Sequence, residues 1–490
     1  MNFADAARNE AKTKLTTNGM VAYNTTENGL LDLFAIIGAL RNADVERIQS
    51  LFAEAYKEDP LIATKILFYG RDVRGGLGER NTFKIFLKYV AQMHPEALRN
   101  NISLIPEYGR WDDLYALIDT PLEADMWSIM KTQFIADERA IETGDAPSLL
   151  GKWLKSVDAS SEKSKQLGIK TAKAFGVSVY AYKRKVRTLR KAIKIVEAQM
   201  SANKWDEIDY PAVPSRAAMI YREAFKRHDE ERYSSYIQKA VTGKEKINSG
   251  TLYPYDLIKE LIDPWKWSWG GNIKNDSTVE AQWRQLPNYV ESGTNALVIA
   301  DTSGSMDGQP ICSALGLALY FAERNIGAFH GMFMNFSDDS SIQIIKGETL
   351  AQKLQNIDYN HWGCNTNIEA AMNHILSIGI KNHVSADEMP KALIIISDME
   401  FDSCSNGTDC LDMVKQKFSQ NGYEIPNIIF WNVNSTHDTF HASANVRGVQ
   451  LVSGQSASTF KNLVGCIGMT PLEMMLKVIN SDRYKAITIA

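Results

Sequence analysis

Four short apolar runs, Ala296–Ala300, Phe329–Met334, Ala392–Ile396 and Asn427–Val433, divide the last 195 residues of this 490-residue chain. Each is too short for a helix and too apolar for a strand with one wet face. That pattern marks strands buried on both sides. Helical patterns fall between them. Ile311, Ala314, Leu315, Ala318, Leu319 and Ala322 repeat in steps of three and one, and Ile368, Ala371, Met372, Ile375 and Leu376 follow the same rule. Thr470-Pro471 supplies a cap and a first-turn proline for a last helix. Buried strands alternating with helices predict an α/β, doubly wound, Rossmann-like domain over 293–490. Such sheets bind ligands beyond the carboxyl ends of their strands.

The polar residues fall at those ends. Asp301-Thr-Ser-Gly-Ser305 follows the first run, Asn365-Thr366 opens a helix, and Ser397-Asp398 follows the third run. Asp301, Ser303, Ser305, Thr366 and Asp398 are thus candidate metal ligands. Two carboxylates and three hydroxyls are hard oxygen donors, which suit Mg²⁺ (or Mn²⁺) better than zinc. With only two charges around it, the ion stays electrophilic and seeks an anionic ligand. Glu400 and Asp402, just beyond Asp398, read as carboxylates that solvate a loop. His437 and His441 are four apart without the intervening glutamate of a zinc hydrolase, and read as a surface pair.

The first 290 residues carry a different period. Leu30, Leu33, Phe34, Ile37 and Leu40 share one helical face, and similar patterns recur around 45–68, 82–95 and 215–240. No fixed repeat length is visible, so the expectation over 1–252 is irregular helical pairs stacked into a HEAT-like ring or horseshoe. Three prolines punctuate 253–292, which reads as a linker or insert before the α/β domain. Trp265, Trp267 and Trp269 lie at alternate positions there, a pattern that suits a sealed domain junction or base stacking.

Charge is unevenly spread. The chain carries a formal net charge of -4, yet residues 151–200 hold 13 basic and 3 acidic residues. Within them Val186, Leu189, Ile193, Val196 and Met200 form an apolar stripe over 182–200, and Lys183, Arg184, Lys185, Arg187, Arg190, Lys191 and Lys194 take the remaining faces. A solvated helix face is one reading. The other is a phosphate-binding face that acts without sequence readout, so no DNA sequence readout is expected. Arg71, Arg74 and Arg80 flank three glycines in Arg71–Arg80, and Arg110-Trp-Asp-Asp113 follows shortly after. These clusters suit either a turn buttressed by Arg–Asp pairs or a phosphate contact. No Gly-Lys-Ser/Thr follows, so this is not a nucleotide P-loop.

Five cysteines, an odd number with no CxxC spacing, point to reduced thiols. Neither a signal-peptide pattern nor an apolar run approaching the ~18 residues of a membrane span is present. The expectation is a cytoplasmic protein that does not engage membranes.

Asp301-Thr-Ser-Gly-Ser-Met306, with Thr366 and Asp398, resembles the metal-ion-dependent adhesion site of von Willebrand factor A domains. The resemblance covers roughly 293–490. It implies that Ser303, Ser305 and Thr366 ligate the metal directly or by state, that Asp301 and Asp398 act through water, and that a carboxylate of an acidic protein partner completes the shell. The preceding part resembles the TROVE module of Ro ribonucleoproteins. It is more similar still to an uncharacterised phage, viral and bacterial family that joins the same two parts. Arg71–Arg80 (RDVRGGLGER), Tyr108–Leu114 (YGRWDDL), Val213-Pro-Ser215 and Tyr221–Phe225 carry that likeness. It implies a helical ring closed by the adhesion-type domain, with single-stranded RNA ends inside and small structured RNA on a basic outer face.

The function expected is therefore binding of structured or single-stranded non-coding RNA, with no catalytic residues assigned. A metal-dependent protein adaptor without RNA is the alternative, and a metal-dependent phosphoesterase stands behind it. Aspartate-nucleophile phosphatases need a second aspartate two residues after the first, and position 303 is serine.

Overall fold

The computed structural model describes residues 12–263, 265, 273–290, 295–336, 340–359, 362, 365–403 and 410–489. It opens with a hairpin that helical periodicity does not predict. Strand β1 (Thr13–Leu15) pairs antiparallel with β2 (Val21–Tyr23). Asn18-Gly19 lies in the turn, with Gly19 at φ +93°, a dipeptide suited to a backbone that must reverse in a left-handed conformation.

Helices then follow as far as residue 284. Local chemistry sets their ends. Asp44 Oδ1 accepts from Arg47 N at 2.7 Å and starts Val45–Glu58. Asp59 Oδ1 accepts from Ile62 N at 2.9 Å and starts Pro60–Arg71, whose first residue is a proline that needs no N–H there. Leu30, Leu33, Phe34, Ile37 and Leu40 are all buried, as their spacing requires.

Two expectations need correction. The stripe over 182–200 is not one helix. Helix Val179–Ala192 ends, Lys194 turns left-handed at φ +53°, and a second helix runs Val196–Ser201. The break sends Val186 and Leu189 into the main core and Val196 into a smaller one around Tyr210, Phe225 and Tyr233. Nor is 253–292 a bare linker. It holds helices Pro254–Leu261 and Ser277–Arg284, with Leu257, Ile258, Val279 and Trp283 buried. Pro254 is the first residue of its helix, so the proline there starts structure instead of interrupting it. Trp265 is exposed; Trp267 and Trp269 lie outside the described residues.

The last part is an α/β domain. Its strands are β3 (Ala296–Asp301), β4 (Met332–Phe336), β5 (Ile342–Ile344), β6 (Ala392–Ser397), β7 (Asn427–Asn432) and β8 (Val449–Ser453). Their order is β5-β4-β3-β6-β7-β8, parallel throughout except for β5 against β4. The central strands are buried on both faces, which explains their unbroken apolar runs.

One hydrophobic core joins both parts, from Met20 to Ile487. Helix Gly29–Ile36 packs on β8, and Pro254–Leu261 packs on helix Gln309–Arg324. The helical run thus begins and ends against the α/β domain. No helix among the described residues is long and apolar enough to cross a membrane.

Candidate functional site

Parallel pairing of β3 with β6, register Ala300 opposite Ile396, brings Asp301 and Ser397 side by side at the carboxyl edge of the sheet. Ser397 Oγ donates to Asp301 Oδ2 at 2.5 Å, and Ser303 N donates to Asp301 Oδ1 at 2.9 Å. Ser303 Oγ and Ser305 Oγ lie 3.1 Å apart. Asp398 Oδ1 accepts from Glu400 N at 3.2 Å, and, after burial, its charge raises the Asp301 carboxyl. Asp301, Ser303 and Ser305 are thus linked by hydrogen bonds, and Asp398 lies within electrostatic reach of them.

Thr366 reaches that network through the 398–402 loop. Its Oγ1 donates to the Glu400 carbonyl at 2.9 Å, and its N donates to Asp402 Oδ2 at 2.8 Å. The same Oγ1 accepts from Asn18 Nδ2 at 3.2 Å, and that amide also donates to the Glu400 carbonyl at 2.6 Å. A hydroxyl has one donor and two lone pairs. Thr366 Oγ1 keeps one lone pair for a further partner.

Both carboxylates are buried, and neither pairs with a basic side chain among the described residues. Burial, then the charge of Asp398, pushes the Asp301 carboxyl up; burial raises Asp398 likewise. Two buried carboxylates facing each other lack positive charge, and Thr302 Oγ1 beside them is buried without a partner. The donor set fits a hard dication that retains waters. Among the described residues no three His, Cys, Asp or Glu side chains gather as a metal-binding group, so hydroxyls would have to complete the shell of any ion held here.

Glu400 and Asp402 do not solvate a loop. Glu400 is buried, and its Oε2 accepts from Thr17 N at 2.6 Å. Thr16 Oγ1 donates to the Phe401 carbonyl at 2.6 Å, and Ser403 N donates to the Asn18 carbonyl at 3.1 Å. These residues anchor the amino-terminal hairpin to the loop over 400–403. His441 is not a surface residue either. It is buried between the Phe401 and Phe430 rings, and its Nε2 lies 3.0 Å from the Met399 carbonyl. No helix spans 437–441, so the four-residue spacing does not pair the two rings.

The basic candidates separate into three groups. Arg184, Arg187 and Lys191 project from the exposed face of helix Val179–Ala192, and Lys194 is exposed just beyond it. Lys183 and Lys185 share that helix but pair with Asp158 and Glu138, each at 2.7 Å. Arg190 turns inward and donates to the Gly151 and Leu154 carbonyls at 3.1 and 2.7 Å.

Arg71, Arg74 and Arg80 brace a turn. Arg71 is 1% exposed and lies 2.7 Å from Asp113, so a phosphate contact through it is excluded in this conformation. Arg80 lies 2.6 Å from Asp112, and Arg74 donates to the Glu107 carbonyl at 2.8 Å. A Cβ on Gly76 would collide with the Tyr69 carbonyl, which is why this turn needs glycine. The turn meets both ends of the chain's closure. Ser458 Oγ donates to the Gly76 carbonyl at 3.1 Å, and Tyr253 OH donates to the Leu77 carbonyl at 3.0 Å.

Inside that closure lies a cavity of about 1590 Å³. Arg41, Arg74, Arg80, Arg110, Lys152, Arg190, Lys194 and Arg216 line it, with Arg71 at its wall. Glu79 and Glu197 are its two carboxylates, and Glu79 is held by Arg41 at 2.8 Å. Trp111, Trp153, Tyr221, Tyr253 and Tyr289 add aromatic surface.

Residues 16–173 and 146–294 match a family described as a domain of unknown function, DUF2828. The chain belongs to the DUF2828 family. Its α/β part, residues 295–481, matches a second domain of unknown function, DUF7788. A relative from Acanthamoeba polyphaga mimivirus, described as uncharacterized protein L728, is 27% identical over 510 residues, covering 96% of this chain and 87% of that protein. The DUF2828 match runs to residue 294 and so takes in the two helices of 253–292.

Sequence reading of this DUF2828 chain passes over Asn18, Lys152, Trp153 and Arg216. The Asn18-Gly19 dipeptide is the signal for the first. The others carry none, because only closure of the chain turns them toward a shared space.

Proposed function

We propose that this chain binds RNA, with a single strand inside the basic cavity and structured RNA on the outer face of helix Val179–Ala192. One observation carries the reading: a partly open cavity lined by nine arginine and lysine side chains, of which Arg74, Arg110, Lys152, Arg190 and Lys194 make no ion pair among the described residues. Water-filled cavities of ordinary proteins have no reason to concentrate one sign of charge. A phosphate backbone does, since each contact releases a counterion. Tyrosine and tryptophan on the same wall give bases a stacking surface, worth about 1–3 kcal/mol per base and tolerant of sequence. The likeness to Ro ribonucleoproteins points the same way.

On this reading Asp301, Ser303, Ser305, Thr366 and Asp398 would hold Mg²⁺ or Mn²⁺. The ion would supply an electrophilic centre for a carboxylate of an acidic protein partner. The chain's own residues do the remaining work. Ser397 and Ser303 N orient Asp301, and Asn18 and Glu400 fix the Thr366 hydroxyl.

The test is whether nucleic acid copurifies with the full-length protein, and how binding of a single-stranded RNA responds to salt. Affinity should fall steeply between about 50 and about 200 mM salt. Charge reversal of Arg184 and Arg187 should weaken structured RNA more than a single strand. Absence of RNA binding, with a protein partner lost on chelation, would favour the adaptor reading.

A further inference from the structure

Of the nine cations of the cavity wall, Arg41, Arg71, Arg80 and Arg216 pair with carboxylates and Arg74 and Arg190 are held by backbone carbonyls, but the cluster around Arg110 is not balanced. Asp112 and Asp113 open the short helix Trp111–Leu117, and both carboxylates are buried. Arg71 lies 2.7 Å from Asp113 and Arg80 2.6 Å from Asp112. Lys84 sits between the two at 3.6 and 3.4 Å, and Lys155 is 3.8 Å from Asp112. Four cations thus already face the two carboxylates before Arg110 is counted, although Oδ1 of each accepts no hydrogen bond among the described residues.

Arg110 is half-buried, lines the cavity and makes no side-chain hydrogen bond or ion pair among the described residues. Its guanidinium rests 4.5 Å from the centre of the Trp153 ring, and Lys152 Nζ lies 5.7 Å from the same ring. The ring face attracts the cation but offers its N–H groups no conventional acceptor, and none is supplied among the described residues. Burial, then the charges of Arg80 and Arg71, press Arg110 toward losing its proton, and burial does the same at Lys155. Five cations surround two carboxylates here, so the cluster lacks negative charge.

We propose that Arg110, stacked on Trp153 and flanked by Arg80 and Lys152, is an oxyanion subsite that takes one phosphate group of the cavity's ligand. A planar guanidinium edge matches two phosphate oxygens. The identification of that phosphate as part of an RNA strand rests on the function proposed above; the subsite itself rests on the charge imbalance.

The experiment has two arms on the full chain. In the first, inorganic pyrophosphate is titrated against the melting temperature of wild type, Arg110→Gln, Arg110→Lys and Lys415→Glu, the last an exposed lysine of helix Cys410–Gln420 in the α/β domain. Arg110→Gln gives up only the contact with Trp153 and should melt close to wild type without ligand. Pyrophosphate should stabilise wild type and Lys415→Glu, fail to stabilise Arg110→Gln, and stabilise Arg110→Lys in part. Equal stabilisation of wild type and Arg110→Gln, or none in either, overturns the subsite.

In the second arm, single-stranded RNA is titrated at several salt concentrations. Arg110→Gln should lose about tenfold in affinity and reduce the salt slope by about 0.7. Binding by both proteins with identical slopes overturns the subsite and leaves the RNA reading standing. A positive pyrophosphate arm with no RNA binding supports the subsite, assigns its phosphate to a small free phosphate compound, and removes the RNA reading.

Discussion

Replacing Arg71 separates a structural arginine from an RNA-binding one. Arg71 Nε donates to Asp113 Oδ2 at 2.7 Å, and the two side chains are 1% and 0% exposed. Arg71→Met deletes the cation and leaves Asp113 buried with Lys84 3.4 Å away and the Arg110 amide 3.0 Å away. Breaking a buried pair costs about 3–5 kcal/mol. Lys84 retains part of the compensation, so about 3 kcal/mol is expected. With a urea slope near 3 kcal/mol/M, the unfolding midpoint should drop by about 1 M. The double replacement Arg71→Met with Asp113→Leu should recover most of that loss, since no lone charge remains buried. RNA affinity measured well below the unfolding midpoint should keep its salt slope. If Arg71→Met instead unfolds with wild type while its salt slope falls by about 0.7, the assignment of Arg71 as a brace is wrong.

Other outcomes follow from the same geometry. Asn18→Ala removes the amide that holds Thr366 Oγ1 and the Glu400 carbonyl; the stabilisation by Mg²⁺ should then require about 10–100-fold more metal in a thermal-shift titration, and an unchanged midpoint would count against its positioning role. Asp301→Ala should abolish that stabilisation while leaving RNA affinity near wild type. Burial pushes the Cys312 thiol up to about 12, so mass spectrometry should find it unmodified by iodoacetamide at pH 8 in the folded protein, and rapid labelling would contradict its burial. Burial lowers the His441 imidazole from 6.5 to about 4. Its folded value lies below its unfolded one, so its contribution is complete above pH 6.5 and is lost as pH falls toward about 4. His441→Phe should therefore flatten the stability profile across that window, and a profile parallel to wild type would refute the assignment.

The α/β domain was legible because its physics is local. Strands such as Ala392–Ser397 are buried on both faces and must be apolar throughout, and Asp301 and Asp398 mark their ends by breaking that rule. The Arg–Asp brace was half legible: Arg71 to Arg80 and Asp112-Asp113 were visible, but which cation takes which carboxylate depends on packing. The hairpin was missed because two three-residue strands show almost no period, and it gains its order from the 400–403 segment nearly 400 residues away. The break at Lys194 was hidden because Ile193, Val196 and Met200 keep helical spacing through it. The cavity was illegible for a simpler reason. Its cations come from separate elements between Arg41 and Arg216, and no window of sequence contains them.

Ultraviolet crosslinking of a bound single-stranded RNA, read by mass spectrometry of the adducted peptides, tests the central claim most directly. The account predicts adducts on the cavity wall, at Trp111, Trp153, Tyr221, Tyr253 or Tyr289. Adducts confined to the outer face around Tyr180 and Arg187, with the cavity residues unmodified, would contradict it.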